Sequence, residues 1–202
     1  MTKAFRKLAF AVLIAVIASF TALAQSADWK IDPVHSTAQF TVRHFGISNV
    51  SGIFTKVTGT VALNEKDISQ SQVNASIDVA SVDTHVENRD KDLKSPHFFD
   101  VERYPTIEFK SKRIAKKGDK LEVTGDLTMH GTTREVTLDG DPLTPEITDQ
   151  GGNSRRGFSA STTINRKDFN MTYNSALKTG EAVVSDSVKI QIDVELVRKK
   201  EG

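Results

Sequence analysis

Val188-Lys-Ile-Gln-Ile-Asp-Val-Glu-Leu196 alternates without a break: Val188, Ile190, Ile192, Val194 and Leu196 fall on one side, and Lys189, Gln191, Asp193 and Glu195 on the other. A period of two is the signature of a strand with one buried and one wet face, and such strands belong to antiparallel sheets. Reading back towards the N-terminus, the pattern recurs. Phe158, Ala160, Thr162 and Ile164 form one face, and Val136 and Leu138 follow a turn at His130-Gly131. Leu121, Val123, Gly125, Leu127 and Met129 form another face, and Ile107 and Phe109 mark a short strand. Val73, Ala75, Ile77 and Val79 alternate with Asn74, Ser76 and Asp78. Ile53–Leu63 reads as one strand with Ile53, Val57, Gly59, Val61 and Leu63 on a face, and Ser36–His44 as another with Ala38, Phe40 and Val42, His44 staying in phase. Eight one-sided strands fit either a sandwich or a closed barrel. Strands of about ten residues and mostly short links favour an all-β, eight-stranded antiparallel up-and-down barrel.

One segment breaks the alternation. Thr84-His-Val-Glu87 has the form of a capping box, and Pro96 biases Ser95 away from helical geometry, so a short helix is expected over His85–Lys94. Val86 and Leu93, seven apart, share a face. With Phe98 and Phe99 following, this polar helix reads as a lid over the barrel. The long connections Asp141–Arg155 and Asn165–Ser185 are the other places where function concentrates.

The inner face mixes bulky residues with Ala38, Gly59, Ala75, Gly125, Ala160 and Thr162. Eight strands enclose a space that side chains can fill, or that holds one small ligand if they stay small. Pattern alone leaves a cavity and mere relief of crowding where the sheet bends evenly matched.

Lys3, Arg6 and Lys7 precede an apolar run from Leu8 to Phe20 and the small-x-small string Ala22-Leu-Ala24. This reads as a secretory signal peptide over residues 1–24, cut after Ala24, with residues 25–202 forming one domain. Removal of residues 1–24 leaves 24 basic against 26 acidic residues, so the formal charge moves from +1 to −2. That balance gives no electrostatic case for nucleic acid. Cysteine is absent, which excludes disulfides, thiolate metal sites and cysteine nucleophiles together. Export without disulfides points to a periplasm.

Nucleophile-elbow, zinc-protease and phosphate-loop strings are absent. His35, His44, His85, His97 and His130 are scattered, and neither a metal nor a catalytic set is expected from them. His44 stands out because it is in phase with an apolar inner face at a strand end, and a buried imidazole needs a partner, from a neighbouring strand, the lid or a ligand's polar group. Arg89-Asp90 reads either as an ion pair fixing the lid or as a fork for an anionic or carbonyl head group.

Several strings, taken in order, resemble the YceI family of polyisoprenoid-binding, lipocalin-like bacterial proteins. They are Trp29-Lys-Ile-Asp-Pro-Val-His-Ser36, Phe40-Thr-Val-Arg-His44 with Gly46-Ile-Ser48, Ser81-Val-Asp-Thr84, Arg89-Asp90, Phe98-Phe-Asp100, Tyr104-Pro105 before Ile107-Glu-Phe109, Gly125-Asp-Leu-Thr-Met-His-Gly131 and Val184-Ser-Asp-Ser-Val188. They span essentially the whole exported chain. Asn170, where the family often has glycine, tolerates left-handed geometry and should keep the same turn. The resemblance implies an extended barrel holding a long isoprenoid, such as a polyprenyl lipid or quinone, with no cofactor required for chemistry. It also implies a carrier role in the periplasm, with transient membrane contact and a homodimer admitted. The expected lumen contacts are Ala38, Phe40, Val42, Val57, Val61, Ala75, Ile77, Val79, Phe109, Leu127, Phe158, Ala160, Ile190 and Ile192, with Phe98 and Phe99 from the lid. His44, Arg89 and Asp90 are the expected head-group contacts. A ligand-free barrel filled by side chains is the alternative, and a lipid- or quinone-modifying enzyme using His44 and Arg89-Asp90 the third reading.

Overall fold

The computed structural model describes residues 27–175 and 182–200. The signal-peptide segment 1–24 and its cut after Ala24 lie outside the described residues. The elements in order are β1 (Ala27–Ile31), β2 (Thr37–His44), β3 (Ser48–Phe54), β4 (Val57–Leu63), β5 (Gln72–Asp78), β6 (Val82–Asp83), helix α1 (Glu87–Lys94), β7 (Thr106–Lys117), β8 (Lys120–Met129), β9 (Thr132–Gly140), β10 (Ile147–Thr148), β11 (Ser154–Asn165) and β12 (Ser187–Arg198).

Hydrogen bonding runs β11-β9-β8-β7-β5-β4-β1-β12 and returns to β11, closing an eight-stranded antiparallel barrel. The closing pair, β11 with β12, is bonded over its whole length, from Ser154 opposite Arg198 to Asn165 opposite Ser187. Closure gives each of these eight strands a partner on both sides, although β9 meets β11 through only two residue pairs, Gly140 with Ala160 and Asp139 with Ser161. The alternation in β12 therefore marks the seam strand, with Val188 to Leu196 pointing inward.

Two wall positions are made of broken strands. β1 and β2 lie end to end along β12: Ile31 pairs with Leu196, and Thr37 with Asp193. Between them the loop 32–36 is stitched to one residue, because the Asp32 N–H donates to Glu195 O at 2.8 Å and the Glu195 N–H donates to the Ser36 hydroxyl at 3.0 Å. Pro33, which can donate nothing to a ladder, sits inside this bulge. β3 and β4 are likewise separate, which corrects the single strand expected over Ile53–Leu63. The bend at 55–56 is held by Ser81, whose carbonyl and hydroxyl accept the N–H groups of Thr55 (3.3 Å) and Lys56 (3.2 Å). An odd number of steps separates Phe54 from Val57, so the period slips. Phe54, only 5% exposed, points inward in place of Ile53.

β5 ends at Asp78, one residue earlier than the alternation implies. The Asp78 carboxylate accepts the Ala80 N–H at 2.9 Å and starts a 3-10 turn over Val79–Ser81. Ile107 and Phe109 belong to a strand of twelve residues, much longer than expected.

The capping box does not form. His85 is left-handed (φ 61°), Val86 is the extended N-cap without a side-chain bond, and the helix starts at Glu87. Asp90 takes the role expected of Glu87: its carboxylate accepts the Thr84 N–H at 2.9 Å and the Thr84 hydroxyl at 2.5 Å. An ionised carboxylate is a stronger acceptor than a hydroxyl oxygen, so the lid closes on Asp90. Val86 is consequently exposed, and Leu93 alone packs onto the core. Asn170 adopts the left-handed conformation (φ 60°, ψ 14°) and caps the 3-10 turn Arg166–Phe169.

Candidate functional site

The inward faces enclose a cavity of about 490 Å³ along the barrel. Its wall carries every expected lumen contact except Val79 and Ala160. Val79 is 1% exposed but sits in the 3-10 turn behind the wall. Ala160 pairs with Gly140, and the Phe158 ring, lying against Gly140, covers that strip.

The small inner residues divide between the two readings the sequence left open. Ala38 and Ala75 line the cavity. At Gly59 a side chain would collide with the backbone of Asn74, and at Gly125 with that of Lys110, so these two glycines relieve crowding between strands. Gly125 also receives the Phe109 ring, as Gly52 receives Phe40 and Gly140 receives Phe158; in each case an added Cβ would meet the ring at 2.5 to 2.7 Å. Three large rings are thereby laid flat against the wall, and the space between them stays open. Phe54, Val50, Ile31, Ile68 and Leu143 also line the cavity and were not anticipated. Phe54 was hidden by the bend; the others lie in short elements or connections with no periodic signal.

Polar groups gather at one end. His44 is half-buried on the wall, its ring 4.0 Å from that of Phe45, and its backbone bridges to Val184. Arg89 lines the cavity while donating from Nε to Thr84 Oγ1 and from Nη2 to Thr84 O, both at 2.8 Å. Asp90 does not reach the cavity, being occupied by Thr84. The two side chains therefore fix the lid through a latch built around Thr84, by hydrogen bonds and not by an ion pair, and the latch leaves Nη1 of Arg89 without a hydrogen bond among the described residues.

The mouth loop 171–175 seals against the lid. Tyr173 stacks on His97 at 4.2 Å with rings 3° from parallel, and meets Phe98 edge-on at 5.6 Å. Asn174 imitates a strand partner, bonding both the N–H (3.1 Å) and the carbonyl (2.6 Å) of Val184. Beneath, Arg166 is 3% exposed. Its guanidinium donates to the carbonyls of Met171 (2.8 Å), Tyr173 (2.7 Å) and Ser185 (3.2 Å) and pairs with Asp186 at 3.1 Å. A buried charge is tolerated only when so fully partnered.

The far end is closed differently. Trp29 is 0% exposed and its ring is met by two guanidinium groups, with Arg198 Cζ 4.6 Å and Arg156 Cζ 5.8 Å from its centroid. Beside it, Asp32, His35 and Glu195 could offer ligand atoms within 4.8 Å of one another. Arg155 fills that place: Nη1 is 2.9 Å from Asp32 Oδ2 and contacts Glu195 Oε1, while Nε is 2.7 Å from Asp149. The guanidinium supplies the positive charge that a metal ion would bring. The His35 hydrogen bond, opposed by burial and aided by Arg155, lowers the Asp32 carboxyl to about 2. Arg155 in turn holds Asp149 far below the usual carboxylate range.

A closed antiparallel barrel with a mostly apolar lumen, polar groups at one mouth and a helical lid defines a lipocalin-like binding protein. Residues 29–196 match the YceI-like domain, and the chain belongs to that family. Protein YceI of Escherichia coli O157:H7 is 38% identical over 202 residues, covering 99% of this chain and 100% of that one. Protein YceI of Salmonella arizonae is 38% identical over 182 residues, covering 89% and 92%. Among solved structures, Burkholderia cenocepacia BcnA superposes with a TM-score of 0.68 at 25% identity, over 84% of this chain and 99% of that one. A polyisoprenoid binding domain from Saccharophagus degradans shares the fold at 14% identity, with a TM-score of 0.62 over 86% and 99%.

Proposed function

We propose that the protein is a periplasmic carrier that sequesters one long-chain isoprenoid amphiphile, a polyprenyl lipid or quinone, in the barrel lumen. The observation that carries this reading is the cavity itself: its wall is mostly apolar, and His44, Arg89 and Asn174 stand among the polar residues that line it towards the lid, with Gln39 and Ser71 the polar residues elsewhere on the wall. Removing apolar surface from water is worth roughly 25 cal/mol per Å², so a long tail supplies most of the affinity and the mouth orients the head. The polyisoprenoid binding described for the Saccharophagus domain of the same fold supports the choice of cargo class. His44 contributes its imidazole at the mouth and Arg89 its free Nη1. Asp90 acts on the latch alone, which removes it from the head-group set. No step of chemistry is assigned to these residues, and the cavity counts against a lumen filled by side chains.

Mass spectrometry of an organic extract from detergent-free protein tests the proposal. A stoichiometric isoprenoid supports it and names the cargo. An empty extract that remains empty after incubation with quinones and polyprenyl lipids overturns it. Loading requires transient contact with a membrane; a homodimer is not required, and light scattering of the purified protein decides its state.

A further inference from the structure

Six large apolar residues are exposed among the described residues: Val34, Phe45, Ile47, Val86, Ile147 and Tyr173. Four of them border the mouth. Val86 opens the lid, Tyr173 lies on the mouth loop, and Phe45 and Ile47 stand on either side of Gly46 at the tip of the β2–β3 hairpin. Val34 and Ile147 are at the far end, beside the loop 32–36 and the start of β11.

The tip is an unusual place for such side chains. The Ile47 N–H donates to His44 O at 3.1 Å, and Phe45 (φ 53°) and Gly46 (φ 69°) are both left-handed, which makes a two-residue turn of the mirror-image type. Turns of this kind favour Asn-Gly or Asp-Gly, because a bulky residue at positive φ is strained. A phenylalanine therefore costs stability here, and its visible return is the contact of its ring with that of His44 at 4.0 Å; Phe45 stays 40% exposed, Ile47 is 78% exposed, and the space beside Gly46 is empty to 4 Å. The hairpin is nevertheless stiff. Arg43 donates to Gly46 O at 2.7 Å and to Asn49 at 3.1 Å, spanning the turn. The tip is also wired to the mouth, since the Phe45 N–H donates to Val183 O at 2.8 Å.

Charge points the same way. Between Thr37 and Phe54 the hairpin holds no acidic residue, while it holds Arg43 and His44. Arg43 has no acidic partner among the described residues. A rigid tip carrying two apolar side chains over a basic, acid-free hairpin matches the interface of an anionic bilayer, where apolar groups enter the headgroup layer and cations meet phosphate.

We infer that the β2–β3 tip is a membrane-docking finger, with Phe45 and Ile47 entering the headgroup layer of an anionic lipid surface and Arg43 facing its phosphates. It brings the mouth, through Val183 and Val184, to the source of the cargo. Its purpose rests on the carrier reading, but docking is measured separately from carrying. The test is flotation with vesicles of phosphatidylethanolamine and phosphatidylglycerol, beside vesicles of phosphatidylcholine alone. The protein should bind the anionic vesicles more tightly, and F45S/I47S should bind them at least about tenfold more weakly. V34S/I147S, changed at the far end, should bind like the parent. Cargo in the same samples is read by mass spectrometry. A folded F45S/I47S protein that keeps its isoprenoid but leaves the vesicles supports docking by the tip. Parent protein that ignores anionic vesicles overturns the inference, as does equal loss in both double variants. A change from dimer to monomer in F45S/I47S overturns it too, by assigning the tip to a second copy of the chain.

Discussion

Asp90 Oδ1 accepts both the backbone N–H and the hydroxyl of Thr84, and Thr84 Oγ1 in turn accepts from Arg89 Nε. One carboxylate, one hydroxyl and one guanidinium therefore bind the first turn of the lid to Thr84, three residues before the helix starts. Thr84 is 4% exposed, so the latch is shielded from competing water. Asp90→Ala leaves the Thr84 donors unsatisfied, at a cost of about 1 to 3 kcal/mol. The lid should open more often while the barrel persists. Hydrogen exchange should speed up over 84–94 without change in β11 and β12, and bound isoprenoid should leave at least about tenfold faster. Uniform exchange with unchanged release would show that the latch does not govern the mouth.

Gly52 lies opposite Phe40 across β2 and β3, and a Cβ there would meet the ring at 2.5 Å. Gly52→Ala should therefore push Phe40 off the wall into the lumen. Overpacking of this kind costs roughly 1 to 3 kcal/mol, and the variant should take up a shorter or thinner cargo than the parent. Competition between isoprenoids of different length, read by mass spectrometry, checks it. Unchanged preference would mean that the ring has another way to turn.

Arg166 holds three carbonyls and Asp186 together under the mouth loop. Arg166→Met keeps most of the side-chain volume but strands these acceptors. Loss of one partner of a buried charge pair costs about 3 to 5 kcal/mol; because Asp186 is partly exposed, the lower figure is expected. The denaturant midpoint should fall accordingly, with an unchanged slope.

Alternation located β8, β11 and β12 and placed the inner face of β2, since each of those strands is continuous and one-sided. It failed where a single residue changes parity. Nothing in Phe54-Thr55-Lys56-Val57 announces a bend; what makes it is Ser81, far along the chain, reaching the two amides. β1 escaped notice because Trp29-Lys-Ile31 is too short for a period to show before Pro33 breaks it. The lid was legible as a helix from Pro96 and the polar run. Its cap was not, because Thr84 has two acidic candidates within six residues and only the folded geometry favours Asp90. The mouth itself is assembled from His44, Arg89 and Asn174, which share no local motif.

Asp32 anchors the far end and titrates well below a free carboxyl. Its folded pKa of about 2 lies under the ordinary value of 3.8, through its bond to His35 and then to Arg155. A depressed carboxylate contributes stability above its unfolded pKa and loses it as pH falls through the folded one. Stability should thus be fully present at neutral pH and decline between about pH 4 and 2. Asp32→Asn should flatten that part of the curve and lower the neutral plateau. Chemical denaturation across the acid range checks both. A variant with an acid limb as steep as the parent's would shift the responsibility to Asp149, which Arg155 also holds down.

Trp29 is the chain's single tryptophan, shut away from water beside Arg156 and Arg198, and it is not on the cavity wall. The molecule therefore carries its own spectroscopic gauge, sited off the wall that the proposed cargo would meet. Its emission should report whether the sealed end is intact and stay silent while lipid comes and goes at the other. Integrity of that end can thus be followed by Trp29 emission in unlabelled protein, independently of occupancy, which mass spectrometry reads.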